Sequence, residues 1–406
     1  MASSLNLAVM PGGYTPASHP HSARKARETA VFIFSIALFA GSYLYLLDTL
    51  KAPAFALFIV ATAGLFIVGV SKKDVPKTTN QPKLPLIIVG LFWYVSLFAA
   101  LWNRDAEIAA GATFVFSFYV VARLVMRRPK ALDAVVSAFF FTTTAVIVAS
   151  VVVQIPTIGG SYAGVFNNPN ALGGVLATFA TALIARAMTV SGVRRSWYVI
   201  AIMAIAILTL LTRNRAAIGA IVACFAIVLA LWLPTAAFRL RSLVLLMAAC
   251  VTLPFILSYV WPTVIQPVAD KFLYNEGTEG GVTSGRSDIW MAYLSQSTLL
   301  GRGRDILDMY EHAAHNTYIS LIAQFGWIAG LLFLFFVLTQ LVQTWILRHR
   351  SPSGYLAFMS VLTFLILSLT EGMLMKSTMF TMLLFASVPA ISKDDTDRRG
   401  KTGHLQ

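Results

Sequence analysis

Apolar residues run along this chain in long continuous blocks broken by short polar punctuation, and the blocks recur from residue 30 to residue 391. A helix of about 17–25 apolar residues is long enough to cross ~30 Å of hydrocarbon. The blocks predict twelve spans, over 30–47, 53–70, 84–102, 108–125, 133–154, 170–190, 197–212, 216–233, 243–262, 325–346, 354–370 and 376–391. A membrane β-barrel is excluded, because its strands would alternate apolar and polar positions. One longer polar stretch interrupts the series between spans nine and ten. It carries "GTEGGVTSG", then "GRSDIWMAYL", then "GRGRDILDMYEHAAHN". Within it, Ile289, Tyr293 and Gln296 fall on one helical face, which predicts a small helical cap packed over the bundle. Next, Asn316, Ser320 and Gln324 recur at i, i+4 and i+8, while Ile319, Ile322 and Phe325 point elsewhere. That spacing predicts an amphipathic re-entry helix, ended or bent at Gly326.

The expected organisation is a cytoplasmic tail over 1–28, spans one to nine within 29–262, a periplasmic loop and re-entry helix over 263–324, spans ten to twelve within 325–391, and a second cytoplasmic tail over 392–406. No small-residue cleavage pattern follows the first apolar block, so a retained span is expected rather than a cleaved signal.

Composition agrees with a polytopic membrane protein: 58% of the 406 residues are hydrophobic and only 12% are charged, with a mean hydropathy of +0.75. The net charge of +14 would suggest nucleic acid in a soluble protein. Here it reflects lysines and arginines in alternate loops, which orient the chain with both termini inside. Arg123 and Arg186, near inner helix ends, are expected to snorkel to the interface. The basic residues left outside are Lys51, Arg104, Arg213, Arg215, Lys271, Arg286, Arg302, Arg304 and Lys376. Most of them fall between residues 213 and 304, against the topological bias, and so call for an anionic partner. The two cysteines, Cys224 and Cys250, lie in apolar blocks and imply no disulfide framework.

Candidate chemistry lies in four stretches on that same side. "TRNRAA" puts Arg213 and Arg215 in a tight turn between spans seven and eight. Their forked, permanently charged donors suit phosphate oxygens, although arginines also rest on lipid headgroups. "GRSDIW" carries Arg286 and Asp288, which could equally pair with each other. "EHAAHN" places His312 and His315 three residues apart, with Asn316 following. Glu311 and Asp305 are further carboxylates able to act as a base. "FNNPN" brings Asn167, Asn168 and Asn170 around Pro169, a composition suited to capping a helix or to lining the mouth of a sugar-binding cavity.

Taken in order, "FNNPN", "TRNRAA", "GRSDIW" and "HNTYISLIAQFGWIAG" resemble the O-antigen ligase and O-antigen polymerase superfamily of bacterial envelope enzymes. The likeness covers spans six to ten. The family usually has Ser-Arg-Gly or Ser-Arg-Ala where this chain has "TRNRAA". The resemblance implies a C-type glycosyltransferase fold and inverting transfer of a glycan from undecaprenyl diphosphate at the outer face of the inner membrane. The ligase delivers that glycan to lipid A–core, and the polymerase to another lipid-linked repeat unit. By the family motifs, Arg215 and Arg286, with Arg213 as the other candidate in its turn, would hold the diphosphate, and His315 would be the catalytic base.

The residue types suit that chemistry. A diphosphate leaving group needs charge stabilisation more than protonation, and many enzymes supply it with a carboxylate-held metal. No outer Asp-x-Asp pattern occurs here, so fixed arginines are expected to take that role and neither metal nor cofactor is expected. A two-histidine metal site at His312 and His315 lacks a nearby third ligand in sequence. Arg302, Arg304 and Asn316 are candidates for contacting the acceptor, and Asn168 and Asn170 for lining the cavity. The expected partners are the lipid-linked donor, lipid A–core and membrane lipids, with no nucleic acid. The alternatives are an O-antigen or exopolysaccharide polymerase, a protein-directed glycan ligase and, from another class, a lipid-linked oligosaccharide flippase. A transporter would place its charges along a central pathway, whereas here the candidate residues gather on one side.

Overall fold

The computed structural model describes residues 20–71, 82–127, 129–153, 161–166, 168–232, 286–308, 314–348, 352–374 and 376–387. The ninth predicted span, the Gly-rich stretch, Lys271, Asn167, Glu311, His312, Cys250, residues 1–19 and the C-terminal tail lie outside these residues, whereas residues 20–28 of the expected N-terminal tail form the start of the first helix, Pro20–Leu44.

Among the described residues the fold is entirely helical. In chain order the helices are α1 (Pro20–Leu44), α2 (Lys51–Val70), α3 (Leu84–Asn103), α4 (Ala106–Met126), α5 (Pro129–Val153), α6 (Pro169–Ala187), α7 (Val193–Thr212) and α8 (Arg215–Trp232). They continue with α9 (Arg286–Gln296), the single turn α10 (Asp305–Asp308), α11 (Thr317–Phe325), α12 (Trp327–Leu347), α13 (Pro352–Ser368) and α14 (Ser377–Ala386). Eight of them, α1–α7 and α12, are long and apolar enough to cross a membrane, and α8, α13 and α14 are apolar but shorter. Each of these helices falls on one of the predicted apolar blocks, although α1 starts well before its predicted span at Pro20 and α14 stops short of its predicted end at Ala386. Exposed Ile59, Val60, Ile67, Leu101, Trp102 and Ile200 give the bundle an apolar outer surface, the opposite of what water would select.

Helix α6 is the hub. Every residue from Leu172 to Ala185 is buried, and the helix packs against α7, α8 and α13. Its small residues Gly173, Gly174, Ala177, Ala180 and Ala182 let neighbouring helices approach closely, as membrane interfaces require. A second seam joins α2, α4 and α14 through phenylalanines, with Phe58 and Phe380 ring centroids 4.4 Å apart and Phe118 and Phe380 at 5.2 Å. Such pairs contribute about 0.5–1.5 kcal/mol each beyond area burial.

The predicted cap is present. Tyr293 on α9 is fully buried with Ile306, Ala314 and Ala323, and Ile289, Trp290 and Ile319 pack around them. The cap is fastened to the bundle by backbone. Arg302 N–H donates to Ala323 O, Gly303 N–H to Gln324 O and Trp327 N–H to Thr298 O. At this joint α11 hands over to α12 through Gly326, whose φ is 95°. The left-handed region of φ is open to glycine at little cost.

One expectation fails here. Arg123 does not snorkel: it is 7% exposed, and its guanidinium donates to the Tyr119 hydroxyl at 3.3 Å. That hydroxyl also receives Gln340 Nε2 from α12. A partner hydroxyl one turn away holds the charge inside the bundle where the lipid interface would otherwise draw it outward.

Candidate functional site

Helices α6 and α8 begin in one hydrogen-bonded cluster, and α9 and α11 begin in another that holds the turn leading into α14. Asn168 caps α6, its Oδ1 accepting from the Asn170 amide at 2.8 Å. The α7–α8 turn is tight because Arg213 takes a left-handed conformation, φ 52°, as the C-cap of α7. Asn214 follows, almost fully buried. Its Oδ1 accepts from Ala217 N–H at 3.1 Å, and its Nδ2 donates to the Asn170 carbonyl. "FNNPN" and "TRNRAA" are thus stitched together by Asn214. The sequence reading passed over this residue in favour of its two arginine neighbours.

Arg215, the first residue of α8, lies close enough to Arg286 for the two charges to repel. Like charges are held together only where the fold fixes them or an anion satisfies both. Arg286 is fixed: its Nη1 donates to the Thr370 carbonyl at 2.8 Å. Asp288, two residues on, is exposed and makes no ion pair with it. The local Arg–Asp pair entertained from sequence does not form.

Thr370 belongs to the turn between α13 and α14, and three consecutive carbonyls of that turn organise the site. Leu369 O accepts from Asn316 Nδ2 at 2.8 Å. Thr370 O accepts from Arg286, as above, and Glu371 O accepts from the Thr317 hydroxyl at 2.9 Å. The Thr317 hydroxyl in turn accepts from Met373 N–H. The start of α11 is thereby clamped to the turn.

His315 stands just before that start, with φ 47°. It is the one described non-glycine residue of left-handed conformation that does not end a helix. Such a residue costs about 1–2 kcal/mol, and strain of this kind gathers at functional sites. The imidazole is 42% exposed, and its Nδ1 lies 3.4 Å from Oε2 of Glu371, whose side chain is 7% exposed. Lys376, next to α14, completes the group. Burial pulls its ammonium below the ordinary lysine range, and the Glu371 charge opposes that pull.

Arg215, Arg286 and His315 therefore meet at one end of the bundle, drawn from three separated stretches of chain. The positive poles of five helix N-termini, each equivalent to roughly half a charge, begin there too. The ensemble suits an anion with several oxygens beside a hydroxyl-bearing reactant. Among the described residues no three His, Cys, Asp or Glu side chains gather as a metal ligand set.

The remaining candidates are used differently. Both ends of the Asn316 carboxamide serve the fold: Oδ1 caps α11 by accepting from Tyr318 and Ile319 amides, and Nδ2 reaches Leu369. It is a clamp between the start of α11 and the α13–α14 turn. Arg304 is committed to Glu107, at 2.5 Å, while its backbone N–H donates to Asp105 Oδ2. That fastens the cap to the α3–α4 turn. Arg302 is exposed and contributes only its backbone amide to the joint. Asn168 is exposed and caps, and Asn170 offers its carbonyl to Asn214.

Glu371 was missed, and Lys376 figured only as one of the outer basic residues. The only sequence signal was a carboxylate and a lysine in "TEGMLMK" between two apolar spans, a position where ionisable residues are costly and usually functional. No family model matches the chain, and no curated protein matches it either.

Proposed function

We propose that the chain is an inverting membrane glycosyltransferase of the O-antigen ligase type. It takes a glycan from undecaprenyl diphosphate and delivers it to lipid A–core, at the periplasmic face of the bacterial inner membrane. The observation that carries this reading is the meeting of Arg215, Arg286 and His315, the same residues that the motif resemblance singles out.

In the proposed reaction the acceptor hydroxyl oxygen attacks the anomeric carbon on the face opposite the diphosphate. A new C–O bond forms as the bond to the phosphate oxygen breaks, and the electron pair leaves with undecaprenyl diphosphate. Arg215 and Arg286 stabilise the charge growing on that oxygen, which needs no proton because the diphosphate is already a good leaving group. The acceptor proton passes to His315, the side-chain type most often used as a general base. Two fixed guanidiniums take the part that a divalent ion takes in other transferases.

Purified protein given lipid-diphosphate glycan and lipid A–core is expected to make glycosylated lipid A–core at the same rate with or without EDTA. Product only on a second repeat unit would reassign the chain as a polymerase. Movement of intact donor across a vesicle without transfer would make it a flippase. Activity lost to EDTA and restored by magnesium would overturn the role given to the arginines.

His315→Gly separates strain from chemistry. Glycine accepts the left-handed backbone, so the unfolding midpoint in detergent should hold or rise, while transfer falls by about 10²–10⁴-fold. A variant that transfers within threefold of the wild type would remove His315 as the base.

A further inference from the structure

Nothing in the proposed reaction assigns a task to Glu371. The carboxylate is nevertheless enclosed, with 7% of its side chain exposed against 42% for the imidazole it faces. Burying an ionised carboxylate is costly unless hydrogen bonds and opposite charge compensate it. Its partners here are His315 Nδ1 at 3.4 Å and the charge of Lys376. The backbone around it is held as well: Glu371 N–H donates to Leu367 O, and its carbonyl receives Thr317. The carboxylate is therefore fixed from behind, on a turn that also fastens the two residues following His315.

We infer that Glu371 is the positioning residue for His315, accepting a hydrogen bond from Nδ1–H and leaving Nε2 as the atom that takes a proton from substrate. An ionised carboxylate can only accept, so a hydrogen bond from the neutral imidazole puts the hydrogen on Nδ1 and leaves the lone pair on Nε2. Nε2 makes no hydrogen bond among the described residues, and the ring is open enough to be reached. A separation of 3.4 Å is long for such a bond, and contacts of this kind tighten when substrate closes on the base. The same carboxylate stabilises the imidazolium formed once the proton has moved, as a buried acid does behind a catalytic histidine elsewhere. Lys376 sets a positive charge against the carboxylate in its enclosed setting.

The inference deepens the transferase reading and rests on it for the word base. Its first test does not. In protein labelled with ¹⁵N-histidine at pH 8, the resonances that vanish in His315→Gln are expected to show the Nδ1–H tautomer. The Nε2–H tautomer, or an imidazolium persisting at that pH, would overturn the assignment whatever the protein catalyses.

The second test uses transfer kinetics. Glu371→Gln preserves volume but presents an amide, and should lower kcat by about a hundredfold or more with little change in KM. Glu371→Asp keeps the charge and should recover at least about tenfold of that loss. In a His315→Gln background, Glu371→Gln should cost nothing further, because it acts only through the imidazole. A Glu371→Gln variant within threefold of wild-type kcat, or an additive double variant, would refute the proposal. If Glu371→Gln does not fold, the tautomer and the Asp variant decide. Absence of transfer by the wild type would count against the transferase reading alone.

Discussion

Arg286→Gln should lower transfer about a thousandfold while leaving the protein inserted and folded. Removing one preorganised charge donor from a developing oxyanion typically costs 10²–10³, and arginines acting on phosphoryl groups about 10³–10⁵. Arg286 is already held by the Thr370 carbonyl, so its positioning costs little when substrate binds. Its nearness to Arg215 is unfavourable without an anion between them, and a diphosphate relieves it. Arg215→Gln should therefore behave alike, and the double variant should lose less than the product of the two, since both donors act on one leaving group. Arg286→Lys should rescue poorly, because a point charge cannot serve a carbonyl and a phosphate oxygen together as a planar fork does. Loss of the Thr370 bond alone should cost about 1–2 kcal/mol of stability, measurable by unfolding in detergent. Transfer within tenfold of wild type in Arg286→Gln would take the residue out of the chemistry.

Gly326→Ala is expected to be the most damaging small substitution in the described residues. A methyl group there would sit 2.1 Å from the Leu299 carbonyl oxygen, on a backbone of φ 95°. Neither can yield easily, because the neighbour is main chain tied through the Thr298–Trp327 and Gly303–Gln324 hydrogen bonds. Backbone strain and overpacking each contribute about 1–3 kcal/mol. The sum is enough to loosen the cap, and limited proteolysis should cut near residues 298–304. Gly219→Ala on α8, where no described residue lies within 4 Å of the added carbon, is the matched control and should be neutral or slightly stabilising. A Gly326→Ala protein that unfolds at the wild-type midpoint would show that the joint gives way without cost.

Span positions were legible because each depends on a local run of apolar side chains. The ends of α3 and α4, for example, lie within two residues of expectation, set by "NRDA" with Asp105 as a cap. Arg215, Arg286 and His315 were brought to one site only by the motif resemblance, since each lies on a different segment and spacing alone does not join them. Glu371 was invisible for the same reason: it meets His315 across 56 residues, and a single carboxylate in an apolar context carries no spacing signal. Asn214 went unnoticed because its importance lies in being buried, which only packing decides. Arg123 was misjudged because the sequence shows its nearness to a helix end but not the Tyr119 hydroxyl that retains it.

The α13–α14 turn has one further consequence. Its neighbouring carbonyls anchor both the anion-facing arginine and the helix that carries the imidazole. In the proposed reaction, leaving-group recognition and proton removal would share that single mount, and a distortion of it would misalign both together. On that reading donor preference and reaction rate are tied traits, and retuning one means rebuilding the support of the other.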